Sequence, residues 1–194
     1  MKEEKEKLKV IAFIGGPGSG KGTQCDKIIS LNPSIYVHLS TGDLFRKIVS
    51  EKVHPQWEII DSLMKTGNLV TREISNEVLK DGLLKIEDNK IVLLDGFPRT
   101  MENVNDWFSE MSSIAGIVKV IYLNATEENM KKRILNRNEG RSDDKIEGVL
   151  QRISLFKTET LPLIQFFKDK QLLSEINGNF SIEKVYKEIE MIIN

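Results

Sequence analysis

Gly15-Gly16-Pro17-Gly18-Ser19-Gly20-Lys21-Gly22-Thr23 is the stretch that decides the fold. The apolar run Val10 to Ile14 precedes it, and a helical pattern from Gly20 to about Leu31 follows. Strand, glycine-rich turn and helix in that order form the setting of a phosphate-binding loop. Backbone N–H groups turn inward onto an anion only where no Cβ intervenes and positive φ is cheap. The next helix adds its unpaired N-terminal N–H groups and the positive end of its dipole. Lys21 supplies a mobile charge for β- and γ-phosphates. An ordinary glycine-rich turn would call for neither the lysine nor this flanking pattern. The general motif has Ser or Thr directly after the lysine; here Gly22 stands there and Thr23 comes next. A magnesium ion on these phosphates is therefore expected to be held mainly by phosphates and water.

The other bounds agree. A chain of 194 residues is enough for one α/β domain with a sizeable core. Apolar residues make up 40% and charged residues 29%, an ordinary balance for a soluble enzyme. A net charge of −1 leaves no global pull on polyanions and argues against a dedicated nucleic-acid binder. The single cysteine, Cys25, rules out an internal disulfide and a cysteine-rich zinc site. Residues 1–9 are charged and carry no apolar signal core, and no apolar run reaches a membrane span. A monomer in a reducing compartment, cytoplasmic or also nuclear, is the expectation.

Further strands are expected at Ile35 to Leu39, Ile91 to Leu94, Ile117 to Leu123 and Leu172 to Ile176. Helical patterns separate them. Ser40 or Thr41 caps one, Pro55 to Lys65 is another that Gly67 ends, and Thr71 caps a third reaching about Lys85. Met101 to Met111 is helical, and Thr126 caps the helix carrying Lys131 to Leu135. Asp144 to Lys170 reads as helix with Pro162 bending or restarting it, and Ser181 to Ile193 closes the chain. Alternating strands and helices imply a five-stranded parallel sheet in a three-layer α/β/α arrangement. Residues 40–70 are helical without a strand and read as an insert. The core then comprises 9–39, 71–136 and 144–194, and the polar loop 137–143 is a short lid.

Asp95 ends a buried strand, at the sheet edge where ligands collect in open α/β folds. A carboxylate there anchors magnesium through water, or caps a turn; the phosphate loop in the same chain favours the metal. Arg46, Arg99, Arg133, Arg137, Arg141 and Arg152 lie in or beside loops, with Arg133 and Arg137 on one helical face. Arginine suits phosphate because its fork bonds two oxygens at once and keeps its charge. Any one of them alone would read as a surface charge paired with an acid. His38, in a strand, and His54, before a helix, read as structural.

Four motifs carry a resemblance: Gly16 to Thr23, Leu39-Ser40-Thr41-Gly42-Asp43-Leu44-Phe45-Arg46, Asp95-Gly96-Phe97-Pro98-Arg99 and Gly140-Arg141-Ser142-Asp143-Asp144. In this order they resemble a short-form nucleoside monophosphate kinase of the adenylate kinase and UMP-CMP kinase group. The resemblance implies that Gly18, Ser19, Gly20, Lys21, Gly22 and Thr23 hold the ATP phosphates. Thr23 and Asp95 then hold magnesium through water. Arg46 and Arg99 grip the acceptor phosphate, while Thr41, Asn68, Leu69, Val70, Gly96, Phe97 and Asn103 surround the acceptor nucleotide. Arg133 and Arg137 approach the donor end, Arg141 and Arg152 clamp the transferring group, and Phe180 offers its backbone to the ATP base. Asp143 and Asp144 hold the lid arginines or cap the next helix. Compared with similar kinases, the lid loop is shorter.

The reaction so implied is γ-phosphoryl transfer from Mg-ATP to a nucleoside monophosphate. The nucleophile is a phosphate oxygen already ionised near neutral pH, because the second phosphate pKa is about 6. No catalytic base is needed, and catalysis rests on positioning and charge neutralisation. Asn103 and the run Arg141 to Glu147 lean towards UMP-CMP kinases, whereas Thr41 leans towards adenylate kinases; Thr71 replaces a proline common to both. The resemblance favours UMP and CMP, with AMP as the alternative. A switch GTPase lacks support, for there is neither Asn-Lys-x-Asp nor an Asp-x-x-Gly after the third strand. A non-catalytic nucleotide-binding module would need a broken site, and Lys21, Asp95 and the arginines are all in place.

Overall fold

The computed structural model describes residues 6–136 and 146–193. A five-stranded, wholly parallel sheet forms its middle layer, in the order β2-β3-β1-β4-β5. The strands are β1 (Leu8–Ile14), β2 (Tyr36–Ser40), β3 (Ile91–Asp95), β4 (Ala115–Asn124) and β5 (Leu173–Asn177). β1 lies centrally, and its side chains alternate between two cores. Ile11 and Phe13 pack with Cys25 and Ile28 of α1 (Lys21–Leu31) and with Val185, Tyr186 and Ile189 of α9 (Ile182–Ile193). Val10 faces the other way, onto Leu79 and Leu83 of α4 (Arg72–Leu84) and onto Trp107 and Met111. Ala12 and Ile14 share that opposite face and meet Leu163 and Phe167 of α8 (Pro162–Asp169). The sheet is thus covered on both sides.

The topology sets up the site. The chain runs from β1 out to β2, returns to β3 beside β1, and then crosses to β4 on the far side. That reversal opens a crevice at the carboxyl ends of the central strands. Register places Phe13 of β1 opposite Asp95 of β3, and Ser40 of β2 opposite Asp95 as well. The loop after β1, the start of α2 (Thr41–Glu51) and the Asp95 turn therefore leave the sheet at one level.

Two smaller cores flank the crevice. Phe45 of α2, Ile60 of α3 (Trp57–Thr66) and Ile74 and Val78 of α4 form one. Met130 and Ile134 of α6 (Glu127–Leu135) with Val149 and Ile153 of α7 (Ile146–Leu155) form the other. Gly67 ends α3 at φ 74, and a Cβ there would lie 2.4 Å from the Gly148 carbonyl oxygen of α7. Only glycine serves both the helix stop and that approach.

Local chemistry accounts for most helix ends. The hydroxyls of Ser40 and Thr126 accept from the N–H groups of Asp43 and Asn129, at 3.2 and 3.3 Å. Thr71 occupies the capping position of α4 without a side-chain cap bond. The long helix expected around Pro162 is interrupted earlier, by a π turn at Phe156–Thr160. Pro162 then opens α8, where its missing N–H removes no intrahelical bond. A second π turn, Trp107–Met111, continues α5 (Met101–Asp106).

Candidate active site

The sheet's carboxyl edge holds a cavity of about 560 Å³. On its donor side stand Gly18, Gly20, Lys21, Gly22 and Thr23. Gly18 has φ 77, and a Cβ on it would lie 2.6 Å from the Met130 carbonyl oxygen. The loop is thus pressed against α6 where a side chain could not fit. Lys21 folds back over the loop, its Nζ donating to the carbonyls of Gly15 at 2.9 Å and Gly16 at 3.1 Å. Its Nζ is also 3.9 Å from Asp95 Oδ1. Ser19 is buried at 2% exposure and its Oγ has no hydrogen-bond partner among the described residues.

The acceptor side carries Thr41, Arg46, Asn68, Leu69, Val70, Gly96, Phe97, Arg99 and Asn103. Arg46 reaches this wall from α2 and is held by Asp43 Oδ1, at 3.1 Å from Nε and 2.5 Å from Nη2. Arg99 follows the cis Phe97–Pro98 peptide, and its Nε donates to the Gly96 carbonyl at 2.8 Å. Thr160, in the π turn, donates its hydroxyl to the Arg99 carbonyl at 2.9 Å. Asn103 Oδ1 accepts from the Arg99 backbone N–H at 3.2 Å. Asn68 is engaged from the opposite flank, its Oδ1 accepting from Gln151 Nε2 of α7 at 3.1 Å. Arg152 of α7 enters the same cavity, with Nε near the Gly148 carbonyl at 3.4 Å.

Asp95 sits between the two sides. Its carboxylate lies 3.9 Å from Lys21 Nζ and, through Oδ2, 3.9 Å from His38 Nε2. His38 lines the cavity, its Nδ1 paired with Asp26 Oδ1 at 3.2 Å. His38, expected to be structural, stands in the wall beside Asp95. Strand alternation carried the signal, since His38 and Ser40 share a face of β2 at its carboxyl end.

Three expected site residues stand apart from the cavity wall. Arg133 donates Nη1 to the carbonyls of Gly18 and Ser19, at 3.5 and 3.3 Å, and Nη2 to that of Phe180 at 3.5 Å. It braces the phosphate loop against the Phe180 turn. Phe180 holds its ring under Lys184 Nζ, 3.3 Å from the centroid. Ser19 faces the interior of the loop. Arg137, Arg141, Asp143, Asp144 and the expected lid, 137–143, lie outside the described residues.

Hard oxygen donors are what magnesium requires, and a few suffice when phosphates and water complete its shell. Asp95 fits: a Cβ on Gly22 would meet only Asp95 Oδ2, at 3.7 Å, so the space beside that carboxylate is open. No cluster of three or more metal-ligating side chains occurs among the described residues, and none of their helices is long and apolar enough to cross a membrane.

A phosphate loop, a strand-end carboxylate and arginines from separate elements around one cavity define a P-loop phosphotransferase. Comparison with known proteins adds the family. The adenylate kinase family model matches residues 13–172. UMP-CMP kinase 1 of Oryza sativa subsp. japonica is 35% identical over 189 residues, 96% of this chain and 74% of that protein. Adenylate kinase isoenzyme 1 of Bos taurus is 35% identical over 192 residues, 97% of this chain and 96% of that one. UMP-CMP kinase 3 of Arabidopsis thaliana is 36% identical over 189 residues, 97% of this chain and 91% of that protein. The chain belongs to the adenylate kinase family and is a nucleoside monophosphate kinase. These identities do not divide the two acceptor classes.

Proposed function

We propose that this kinase transfers the γ-phosphoryl group of Mg-ATP to UMP or CMP. The observation that carries the choice is the orientation of Asn103. This residue is 8% exposed, lines the acceptor side, and commits Oδ1 to the Arg99 N–H. Its amide NH2 is then the group offered to a base. A donor suits O2 and O4 of uracil and N3 and O2 of cytosine. Adenine, like cytosine, sets its ring-nitrogen acceptor beside an amino group that is itself a donor, so the amide NH2 argues for uracil, and the likeness of Asn103 to the UMP-CMP kinase pattern carries CMP.

In this reading the loop N–H groups and the α1 terminus bind the donor phosphates, and Lys21 swings from the Gly15 and Gly16 carbonyls onto the transferring group. Arg46 and Arg99 hold the acceptor phosphate in line, and Arg152 neutralises charge from the α7 side. A bound magnesium ion would supply charge neutralisation to the phosphates. Asp95, with Thr23 nearby on α1, would hold it through water. Arg137 and Arg141, which lie outside the described residues, are assigned to the donor end and the transferring group by resemblance alone.

The test is the initial rate of ADP release with AMP, UMP, CMP, dCMP and GMP as acceptors under saturating ATP. UMP and CMP should give the highest kcat/KM. AMP in first place would make the enzyme an adenylate kinase and end the pyrimidine reading.

A further inference from the structure

Arg72 opens α4 and lines the acceptor side of the cavity, yet phosphate binding does not account for it. Its Nε donates to Asp106 Oδ2 at 2.6 Å and its Nη2 donates to Oδ1. Asp106 is 2% exposed, and its Oδ2 also accepts from Asn76 Nδ2 at 2.7 Å. The Arg72 fork, against the opposing effect of burial, holds the Asp106 carboxyl below its ordinary range. Two parallel bonds to one carboxylate fix the plane of the guanidinium. The remaining nitrogen, Nη1, makes no hydrogen bond among the described residues, and the side chain is 54% exposed.

Asp106 follows Asn103 by three positions on α5, so the two share a face. Arg72 and Asn103 both line the acceptor side of the cavity. Glu73 and Glu110 add negative charge near the guanidinium, and Glu102 lines the same side of the cavity, but none of them is hydrogen-bonded to Arg72.

We propose that Arg72 is a specificity-determining residue for the acceptor base: Nη1 donates to an exocyclic oxygen of a pyrimidine and disfavours adenine, whose amino group sets donor against donor. Asp106 and Asn76 are the positioning residues that hold the fork. The proposal rests on the pyrimidine reading above and assigns part of that preference to a named side chain.

The experiment compares kcat/KM for UMP and AMP, at saturating ATP, in the wild type, Arg72→Met, Arg72→Lys and Asp106→Asn. A hydrogen bond to a charged donor corresponds to roughly 10- to 100-fold in such a ratio. The UMP/AMP ratio should fall by that factor in Arg72→Met, with KM for ATP as in the wild type. Arg72→Lys keeps the charge beside Asp106 but loses the fork, so the ratio must fall there too, which keeps the test decisive if the methionine variant does not fold. Asp106→Asn should give a smaller fall in the same direction. Loss of packing alone would lower both acceptors alike. An unchanged ratio in an enzyme that prefers UMP overturns the role of Arg72 and leaves the pyrimidine reading intact; a wild type that prefers AMP overturns both.

Discussion

Residues 15–23 build the donor side of the cavity almost alone, whereas the acceptor side draws on Arg46 of α2, Arg99 after β3, Asn103 of α5 and Arg72 of α4. The first is made chiefly of backbone: glycine conformations, loop N–H groups and a helix terminus. The second is made of side chains gathered from elements far apart in sequence. A backbone site tolerates little variation in shape but recognises any polyphosphate. A side-chain site can change one contact at a time, so acceptor choice can diverge while the phosphate loop stays the same. The near-equal likeness to UMP-CMP kinases and an adenylate kinase accords with that division.

Four perturbations test the contrast. Lys21→Met removes the cation nearest the donor phosphates, and a cation on a transferring phosphoryl group is worth roughly a thousandfold or more in rate. The coupled ADP assay should show that loss with every acceptor, and the far-ultraviolet circular dichroism should match the wild type. Arg99→Ala strikes the other side. Transfer should fall by about a hundredfold or more, as expected when positioning of one reactant is lost, while ATP binding measured by calorimetry is retained. Near-normal turnover would remove Arg99 from the acceptor phosphate.

Gly18→Ala probes backbone shape. The substitution demands φ 77 of an alanine and sets a Cβ against the rigid Met130 carbonyl. A strained position of this kind costs about 1–3 kcal/mol, so Tm should fall and ATP should bind more weakly. An unchanged Tm would show that the loop is free to move away from α6.

The smallest effect belongs to Glu127 at the start of α6. Hydrogen bonds from Lys131 and Lys157 pull its pKa down to about 2. A carboxylate depressed on folding stabilises above its unfolded pKa, near 4.5, and loses that contribution as pH falls towards 2. The pair is exposed, so the effect is slight. Glu127→Gln should lower Tm a little at pH 7, and the difference from the wild type should shrink as pH falls from 4.5. A gap that widened on acidification would have the wrong sign.

The same contrast explains what could be read in the residues themselves. The sheet was legible because its central strands β1 and β3 are apolar runs bounded by turn chemistry, and β1, buried on both faces at every residue but Lys9, has the continuous apolar pattern of an interior parallel strand. The phosphate loop was legible because its nine residues are contiguous. Arg46, Arg99 and Asn103 could be assigned only through resemblance, since no local pattern tells an arginine that grips phosphate from one paired with an acid. Arg72 and Asp106 escaped notice, and His38 read as structural, because their surroundings come from pairing: Arg72 and Asp106 are 34 positions apart, and His38 meets Asp95 only through strand register. The π turn at Phe156–Thr160 has no periodic signature, although Thr160 supports the Arg99 carbonyl.

The central claim is that both nucleotides share this one cavity, with Lys21 and the arginines meeting over the phosphoryl group between them. The most direct measurement is calorimetric titration with a dinucleoside polyphosphate joining adenosine to uridine, in the presence and absence of ATP and of UMP. One molecule should bind per chain, more tightly than either nucleotide, and should compete with both. Displacement of only one of them, or two molecules bound per chain, would contradict a single bridging site.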